Sequence, residues 1–492
     1  MDAAPGDGTC ATAEGGCSLR AAIQEANALA GADSISVPGG TYNLTGASGE
    51  NAAATGDLDI TADVMIEGAG IGATIVDAAQ LDRLFDVAAG NVSISDMTMR
   101  NGRSDPDDGG AVHNAGTLTL SEVRIEDNHG DDGGAIANSG TGTILDSAVM
   151  QNSAADTGGA IINLGTLTIR RTNIETNTAP IAGGGVNSLG TLTISESLLA
   201  HNRVNAGNGG GLASFALATL TNVTFSDNDA SQLGGGIFSE NSLVLVSSTI
   251  TDNDGSMGGG GLYTNNSGAQ FRSTIIAGNR PDQCAGPGGY ASHGTNLSDS
   301  ADCLFAAGGD RENTNPMLGP LASNGGPSQT HALLEGSPAI NGGQLVGCPP
   351  TDQRGVARPQ NGQCDIGAFE VGAVPTPTPI ASNTSEATPT LPPVDTPTPT
   401  ETAPADTPTP TSTPRPPTQT RTPTPEELVG DASCDGNINS IDAALVLQHG
   451  AGLLGSIACE VAADANQDGS LNSIDAALIL QYGAGLLDQL PP

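Results

Sequence analysis

A Gly-Gly-small-aliphatic motif begins at Gly109 and returns at Gly133, Gly158, Gly183, Gly209, Gly234 and Gly259, at intervals of 24, 25, 25, 26, 25 and 25 residues. So constant a period means one structural unit per repeat, each burying its apolar face against the next. Each copy is followed by a period-2 alternation such as Gly116-Thr-Leu-Thr-Leu120, Gly165-Thr-Leu-Thr-Ile169 or Gly190-Thr-Leu-Thr-Ile194. That alternation reads as a strand with one buried face. Each unit then closes on an Asn, at Asn128, Asn152, Asn177, Asn202, Asn228, Asn253 and Asn279, with Asn101 as an earlier member.

All-strand units of about 25 residues fit coils of a right-handed parallel β-helix, stacked about 4.8 Å apart so that like residues sit on like. Leu118, Leu120, Val123 and Ile125 then meet their counterparts in a dry interior, and the Asn side chains form a hydrogen-bonded column. The glycines fall where the chain needs φ > 0 or where side chains of successive coils would collide. A propeller blade needs a longer repeat, and a leucine-rich repeat has different spacing. The expected fold is therefore mainly β, with aromatics at only 2% of the chain and no Trp leaving the core to small aliphatic residues.

The charge is equally restrictive. There are 15 Arg, no Lys, and 54 Asp plus Glu, for a net charge of −39. Such a surface repels phosphate backbones and anionic lipid, which argues against nucleic acid as a partner. No apolar run reaches the roughly 18–20 residues of a membrane span. The eight cysteines fall into local couples, Cys10 with Cys17, Cys284 with Cys303, Cys348 with Cys364 and Cys434 with Cys459. Four short-range couples predict disulfides and an extracellular or cell-surface location. Met1 to Gly8 have neither the positive n-region nor the apolar run of a secretion leader, so export would imply either a leader outside this sequence or a different start.

A solenoid needs its ends covered. Ser18 is a good N-cap, Leu19, Ala22, Ile23 and Ala26 share a helical face, and Gly31 is a stop, predicting a capping helix from Leu19 to Ala30 within an N-terminal cap of residues 10–45. Cys17-Ser-Leu-Arg-Ala-Ala-Ile23, with Asp33-Ser-Ile-Ser-Val-Pro-Gly-Gly-Thr-Tyr42 behind it, resembles the CSLREA domain of bacterial extracellular β-helix proteins, departing at Ala21 where the motif has Glu. Asn315-Pro-Met-Leu-Gly319, Gly336-Ser-Pro-Ala-Ile-Asn341, Asp352-Gln-Arg-Gly-Val-Ala-Arg-Pro359 and Cys364-Asp-Ile-Gly-Ala-Phe-Glu370 resemble the choice-of-anchor Q segment of the same proteins. Residues 312–372 are accordingly expected to cap the far end of a β-helix domain spanning 1–372. Arg354, Arg358, Asp365 and Glu370 read more simply as ion pairs pinning the last coil than as a catalytic group.

Residues 373–427 form a linker, with 16 prolines between Pro375 and Pro425. Pro/Thr composition predicts a disordered, polyproline-II spacer reaching up to roughly 160 Å. Beyond it, Ile438 to Leu454 recurs as Leu471 to Leu487 with 14 of 17 positions identical. Each copy follows an acidic loop, Asp431-Ala-Ser-Cys-Asp-Gly436 and Asp464-Ala-Asn-Gln-Asp-Gly469. Alternating hard oxygen donors with a Gly at the sharp turn are the pattern of a calcium loop. The ligand sets are Asp431, Ser433, Asp435, Asn437, Asn439 and Asp442, then Asp464, Asn466, Asp468, Ser470, Asn472 and Asp475. Ser433 makes the first site the weaker of the two.

An Asp closes each loop where an EF-hand has Glu, and no entering helix precedes it, so residues 428–488 resemble a type I dockerin, a small α-helical module. The resemblance implies two Ca²⁺ ions and a cohesin partner. It places the partner contacts on Ser440, Ile441, Leu447 and Gln448 and, equivalently, on Ser473, Ile474, Leu480 and Gln481. Near-identity of the two faces implies that either can bind after a half-turn.

Catalytic signals in the solenoid are sparse. Register puts Asp107, Asp131 and Asp156 in one column, with Asp108 and Asp132 beside them and His129 close by. Stacked carboxylates repel unless a cation or proton intervenes, so the column fits either a cation or acid site or, more plainly, a solvated edge that blocks aggregation. The readings left open are a cohesin-tethered β-helix acting in polysaccharide binding or breakdown, a polysaccharide hydrolase or lyase of a cellulosome-like complex, and a passive adhesin or surface stalk.

Overall fold

The structure, a computed structural model, describes residues 1–46, 53–265 and 268–372, with nine separate positions in the tail. It divides into two compact units, Met1–Thr388 and Pro389–Pro492. The first unit is a parallel β-helix. Its solenoid strands form parallel sheets of 18, 6 and 10 strands.

The coil between the second and third motif copies shows the plan. Ile136–Asn138 lies in the ten-stranded sheet. After a tight turn, Thr141–Leu145 and Ala148–Met150 give two arms of the largest sheet, and Ser153–Ala154 lies in the six-stranded one. Leu120 sits over Ile144 and Ile125 over Val149 from coil to coil. The interior is therefore the dry aliphatic stack the alternation predicts, with Leu118, Leu120, Val123 and Ile125 all buried.

Both roles expected of the glycines are met. Gly158 has φ +65°, and a Cβ there would lie 2.5 Å from the Ile161 carbonyl oxygen. A Cβ on Gly134 would lie 2.3 Å from the carbonyl oxygens of Gly159 and Ser153 in the next coil. Two further left-handed corners use no glycine code. The bend between the arms falls on Asp96, Glu122, Asp146, Arg171, Glu196 and Asn222, and the next corner on Asp127, Gln151, Thr176, His201 and Asp227, all at positive φ. Left-handed backbone costs an ordinary residue roughly 1–2 kcal/mol. Here the hydrogen bonds to adjacent coils impose it.

The Asn column is present, with one correction. The side-chain amides of Asn128, Asn152, Asn177, Asn202, Asn228 and Asn253 each donate to the next Asn at 2.9–3.0 Å, and Asn279 ends the series on Gln283 at 2.7 Å. Asn101 is not a member: Arg100 aligns with Glu126, so Asn101 aligns with Asp127 and Gly102 fills the column position. Asn101 instead donates to Asp77 at 3.0 Å. A second column went unread in the sequence. Asn114 donates to Asn138 at 2.7 Å, Asn138 to Asn163 at 2.8 Å, and Asn163 to Ser188 at 3.0 Å.

The capping helix, α1, runs Leu19–Ala28, with Ser18 accepting from the Ala21 amide at 3.2 Å. It ends two residues before the expected Ala30, and it is Ala21, not Ala22, that is buried with Leu19, Ile23 and Ala26. Residues 33–43, counted with the cap above, already form the first coil, pairing with 64–67 and 74–77. At the far end Phe305 lies edge-on to Phe271, 5.4 Å between centroids. Disulfides join Cys10 to Cys17, Cys284 to Cys303 and Cys348 to Cys364, as expected. Cys459 is also disulfide-bonded, while Cys434 lies outside the described residues.

Residues 312–372 do more than cap the last coil. They return along the flank of several coils as a strap. Asn222 donates to the Thr351 carbonyl at 2.7 Å, Thr224 to Gln353 at 2.6 Å, and the Ala368 amide to Thr249 at 3.0 Å. Arg354 grips Asp352 through two nitrogens at 2.8 and 3.0 Å and stacks 3.6 Å over Phe369. Arg358 meets Glu370 at 3.3 Å with both side chains at 1% exposure or less. Groups so enclosed hold the strap together and cannot reach a substrate.

Candidate functional site

The outward position of the ten-stranded sheet carries chemistry at its N-terminal end. Asp59 pairs with Asp86, and Asp86 with His113, in successive coils. His113 Nδ1 lies 2.9 Å from Asp86 Oδ1. Arg83 reaches Asp86 at 3.3 Å and Asp57 at 3.5 Å. Ligand atoms of Asp57, Asp59 and Asp86 all lie within 4.8 Å of one another, a grouping that could hold a cation.

The two ends of this row ionise differently. Burial alone would raise Asp86, but the hydrogen bond and charge of His113, with Arg83, hold it below the usual carboxylate range. Asp57 is pushed up to about 7, first by burial and then by Asp59 and Asp82, against the pull of Arg83. An ionised Asp86 accepts the Nδ1 proton of His113, which fixes the tautomer and leaves Nε2 as the basic atom. Nε2 has no hydrogen-bond partner among the described residues, and the side chain is 31% exposed. A base oriented by a carboxylate, with an open second nitrogen, can take a proton from a bound molecule and return it.

This arrangement adjoins the column read from the sequence. The Asp131 amide donates to the Asp107 carbonyl and the Asp156 amide to the Asp131 carbonyl, each at 2.9 Å, so the three are in register as expected. Asp108 faces His113 closely enough to feel its charge. Burial, with Asp132 and Asp131, raises both Asp108 and Asp156. Asp132 is occupied, accepting the Thr157 amide at 2.8 Å and its hydroxyl at 2.6 Å. His129 stands elsewhere, bonded to Ser153 at 2.9 Å in a groove of about 440 Å³ with Gln80, Arg103, Asp127 and Gln151. None of the column aspartates lines that groove.

His113 could have been found from the sequence. It directly follows a motif copy, in the place of Ala137 and Ile162, and Asp59, Asp86 and His113 are spaced by 27 residues. The Gly-Gly signal starts only at Gly109, so the earlier coils gave no register to read.

In the second unit the described residues form one small cluster. Ala432, Val446, Ala463, Ala465, Ala476 and Ile479 are buried together. Ala432 and Ala465 are equivalent positions of the duplicated segment, as are Val446 and Ile479, so the two copies contribute like residues to one core. Every expected calcium ligand and partner-contact residue lies outside the described residues. Residues 429–482 match the family model of the dockerin type I domain.

The tail is a dockerin. Type I dockerins bind calcium and assemble with cohesins, and proteins that carry them are typically extracellular. No match is found among curated proteins. Among solved structures, pectate lyase Pel9A is similar with 12% identity, covering 73% of this chain and 92% of that one, at a TM-score of 0.43. The A-module of mannuronan C-5 epimerase AlgE4 of Azotobacter vinelandii has 17% identity, covering 57% and 86%, at 0.27. The corresponding module of AlgE6 of the same organism has 15% identity, covering 60% and 88%, at 0.29. Among the described residues, no helix is long and apolar enough to cross a membrane.

Proposed function

We propose that this chain is a secreted β-helix, of the CSLREA and choice-of-anchor Q kind, delivered by its dockerin to a cohesin-bearing scaffold or surface protein for work on polysaccharide. The dockerin match at residues 429–482 carries the reading. In it residues 1–372 are the working domain, 373–427 the spacer and 428–488 the plug. Two Ca²⁺ ions are held, one by Asp431, Ser433, Asp435, Asn437, Asn439 and Asp442, the other by Asp464, Asn466, Asp468, Ser470, Asn472 and Asp475. These donors are all hard oxygens, which suits calcium over softer-liganded metals. The cohesin docks on Ser440, Ile441, Leu447 and Gln448, or on Ser473, Ile474, Leu480 and Gln481. Titrating the full chain into a panel of cohesins, with calcium and with chelator, tests the tether. Binding to any panel member that chelator abolishes supports it; heat exchange with none, or binding indifferent to chelator, overturns it.

A second reading, catalysis, is favoured by His113 and Asp86. His113 Nε2 acts as the base or acid in hydrolysis or elimination of a glycosidic bond, Asp86 orients it, and Asp108 and Asp131 shape the field around it. Turnover of pectin, alginate or xylan that His113→Ala abolishes and Asp156→Ala does not is the expected result. Absence of turnover on the panel leaves the solenoid a binding or stalk element.

A further inference from the structure

The coils that precede the glycine repeat stack without the amides that tie the later ones together. In the register of Asn114, Asn138 and Asn163, the two coils before them hold Ile60 and Val87. The other amide column starts only at Asn128. Carboxylates gather at this end instead. Asp57 and Asp59 come from one coil, Asp82 and Asp86 from the next. Asp57, Asp59 and Asp86 make the one grouping of three potential metal-ligating side chains among the described residues.

Asp82 adds an observation separate from that grouping. The residue is only 9% exposed. Its Oδ1 accepts the Arg83 amide at 2.8 Å, while its Oδ2 is enclosed and has no hydrogen-bond partner among the described residues. The carboxylate faces the group, since its charge acts on Asp57 together with that of Asp59. An enclosed carboxylate oxygen with nothing to bond is a costly arrangement, and a bound ion or water is what ordinarily resolves it.

The charge balance favours an ion. Arg83 is the single cation acting on Asp57. Its Nη1 reaches Asp57 at 3.5 Å and Asp86 at 3.3 Å, long for charged hydrogen bonds, and its Nε is turned to the Gly109 carbonyl at 3.2 Å. One guanidinium cannot balance four carboxylates, and a dipositive ion removes most of the deficit. The donors are all hard oxygens. Four carboxylates, each binding through one or two oxygens, can supply the roughly six to eight ligand atoms that calcium takes.

We propose that Asp57, Asp59, Asp82 and Asp86 bind a calcium ion, a site separate from the two read in the tail. The ion clamps consecutive coils at the end of the solenoid where no amide column does so.

The test is hydrogen exchange of the full chain, with calcium and with chelator, read on peptides covering residues 57–60 and 82–87. Tail peptides report any calcium bound there separately, so failure of this site and failure of the tail reading are told apart. At calcium about ten times the dissociation constant, exchange of the solenoid peptides is expected to slow about tenfold in the wild type. Asp57→Asn/Asp82→Asn removes two charges from a crowded group and is expected to fold but to lose the slowing. Asp254→Asn, in the six-stranded sheet, is expected to keep it. Exchange that is the same with calcium and with chelator in the wild type overturns the proposal and leaves Arg83 as counter-ion of the group. Slowing that the double variant retains also overturns it.

Discussion

Asp86 accepts the Nδ1 proton of His113 one coil away, at 2.9 Å. Residues 27 positions apart thus become a dyad solely because two coils share a register. Replacing Asp86 by Asn keeps an acceptor but removes its charge. Charged hydrogen bonds contribute about 1 kcal/mol more than neutral ones. Asp86→Asn should therefore destabilise the solenoid by about 1 kcal/mol at neutral pH. Since the folded carboxyl titrates below its ordinary range, the wild-type advantage is present above that range and is lost as pH falls through the folded value. Urea midpoints of both proteins at pH 7 and in acid check this, and an equal gap at both would count against it.

Asp57 has the opposite sign. Its folded value is raised from 3.8 to about 7, so its ionisation opposes folding, and stability drains away as pH rises through that window. Asp57→Asn should gain on the wild type steadily between those pH values, with the gain levelling above them. Paired denaturation curves across this range provide the measurement.

The two amide columns should differ in tolerance. Asn177 donates to Asn202 and to the Val149 carbonyl at 3.0 Å each, and its oxygen accepts both the amide and the side chain of Asn152. Asn177→Ala strands buried groups at about 1–3 kcal/mol each. Asn163→Ser should cost far less, because the second column already changes to Ser at Ser188, where the hydroxyl bonds the Gly190 carbonyl at 2.9 Å. Hydrogen exchange of the flanking coils distinguishes the two outcomes.

In the strap, Arg358→Met leaves Glu370 buried without its cation, a loss of about 3–5 kcal/mol for a broken buried pair. Adding Glu370→Leu should restore much of that stability, since well-packed apolar replacements of such pairs are often neutral. Proteolysis of residues 312–372, fast in the single variant and slow in the double, is the expected pattern.

The sequence by itself determined whatever recurs. The coil length, the aliphatic interior, the Asn128 to Asn279 column, the glycine corners and three cysteine couples each repeat a local rule or close a short loop, so they are visible without any contact map. The duplicated tail was legible for the same reason. The tertiary structure alone decided what occurs once. Asn222 and Thr351 meet across 129 residues, and no period announces the return of the strap. The even 27-residue spacing of Asp59, Asp86 and His113 was present in the sequence, but no motif copy marks the first two, so only the backbone pairing showed that they share a register. Non-glycine corners at Glu122 and Arg171 exist because neighbouring coils hold the backbone there, a constraint that only the assembled stack can supply.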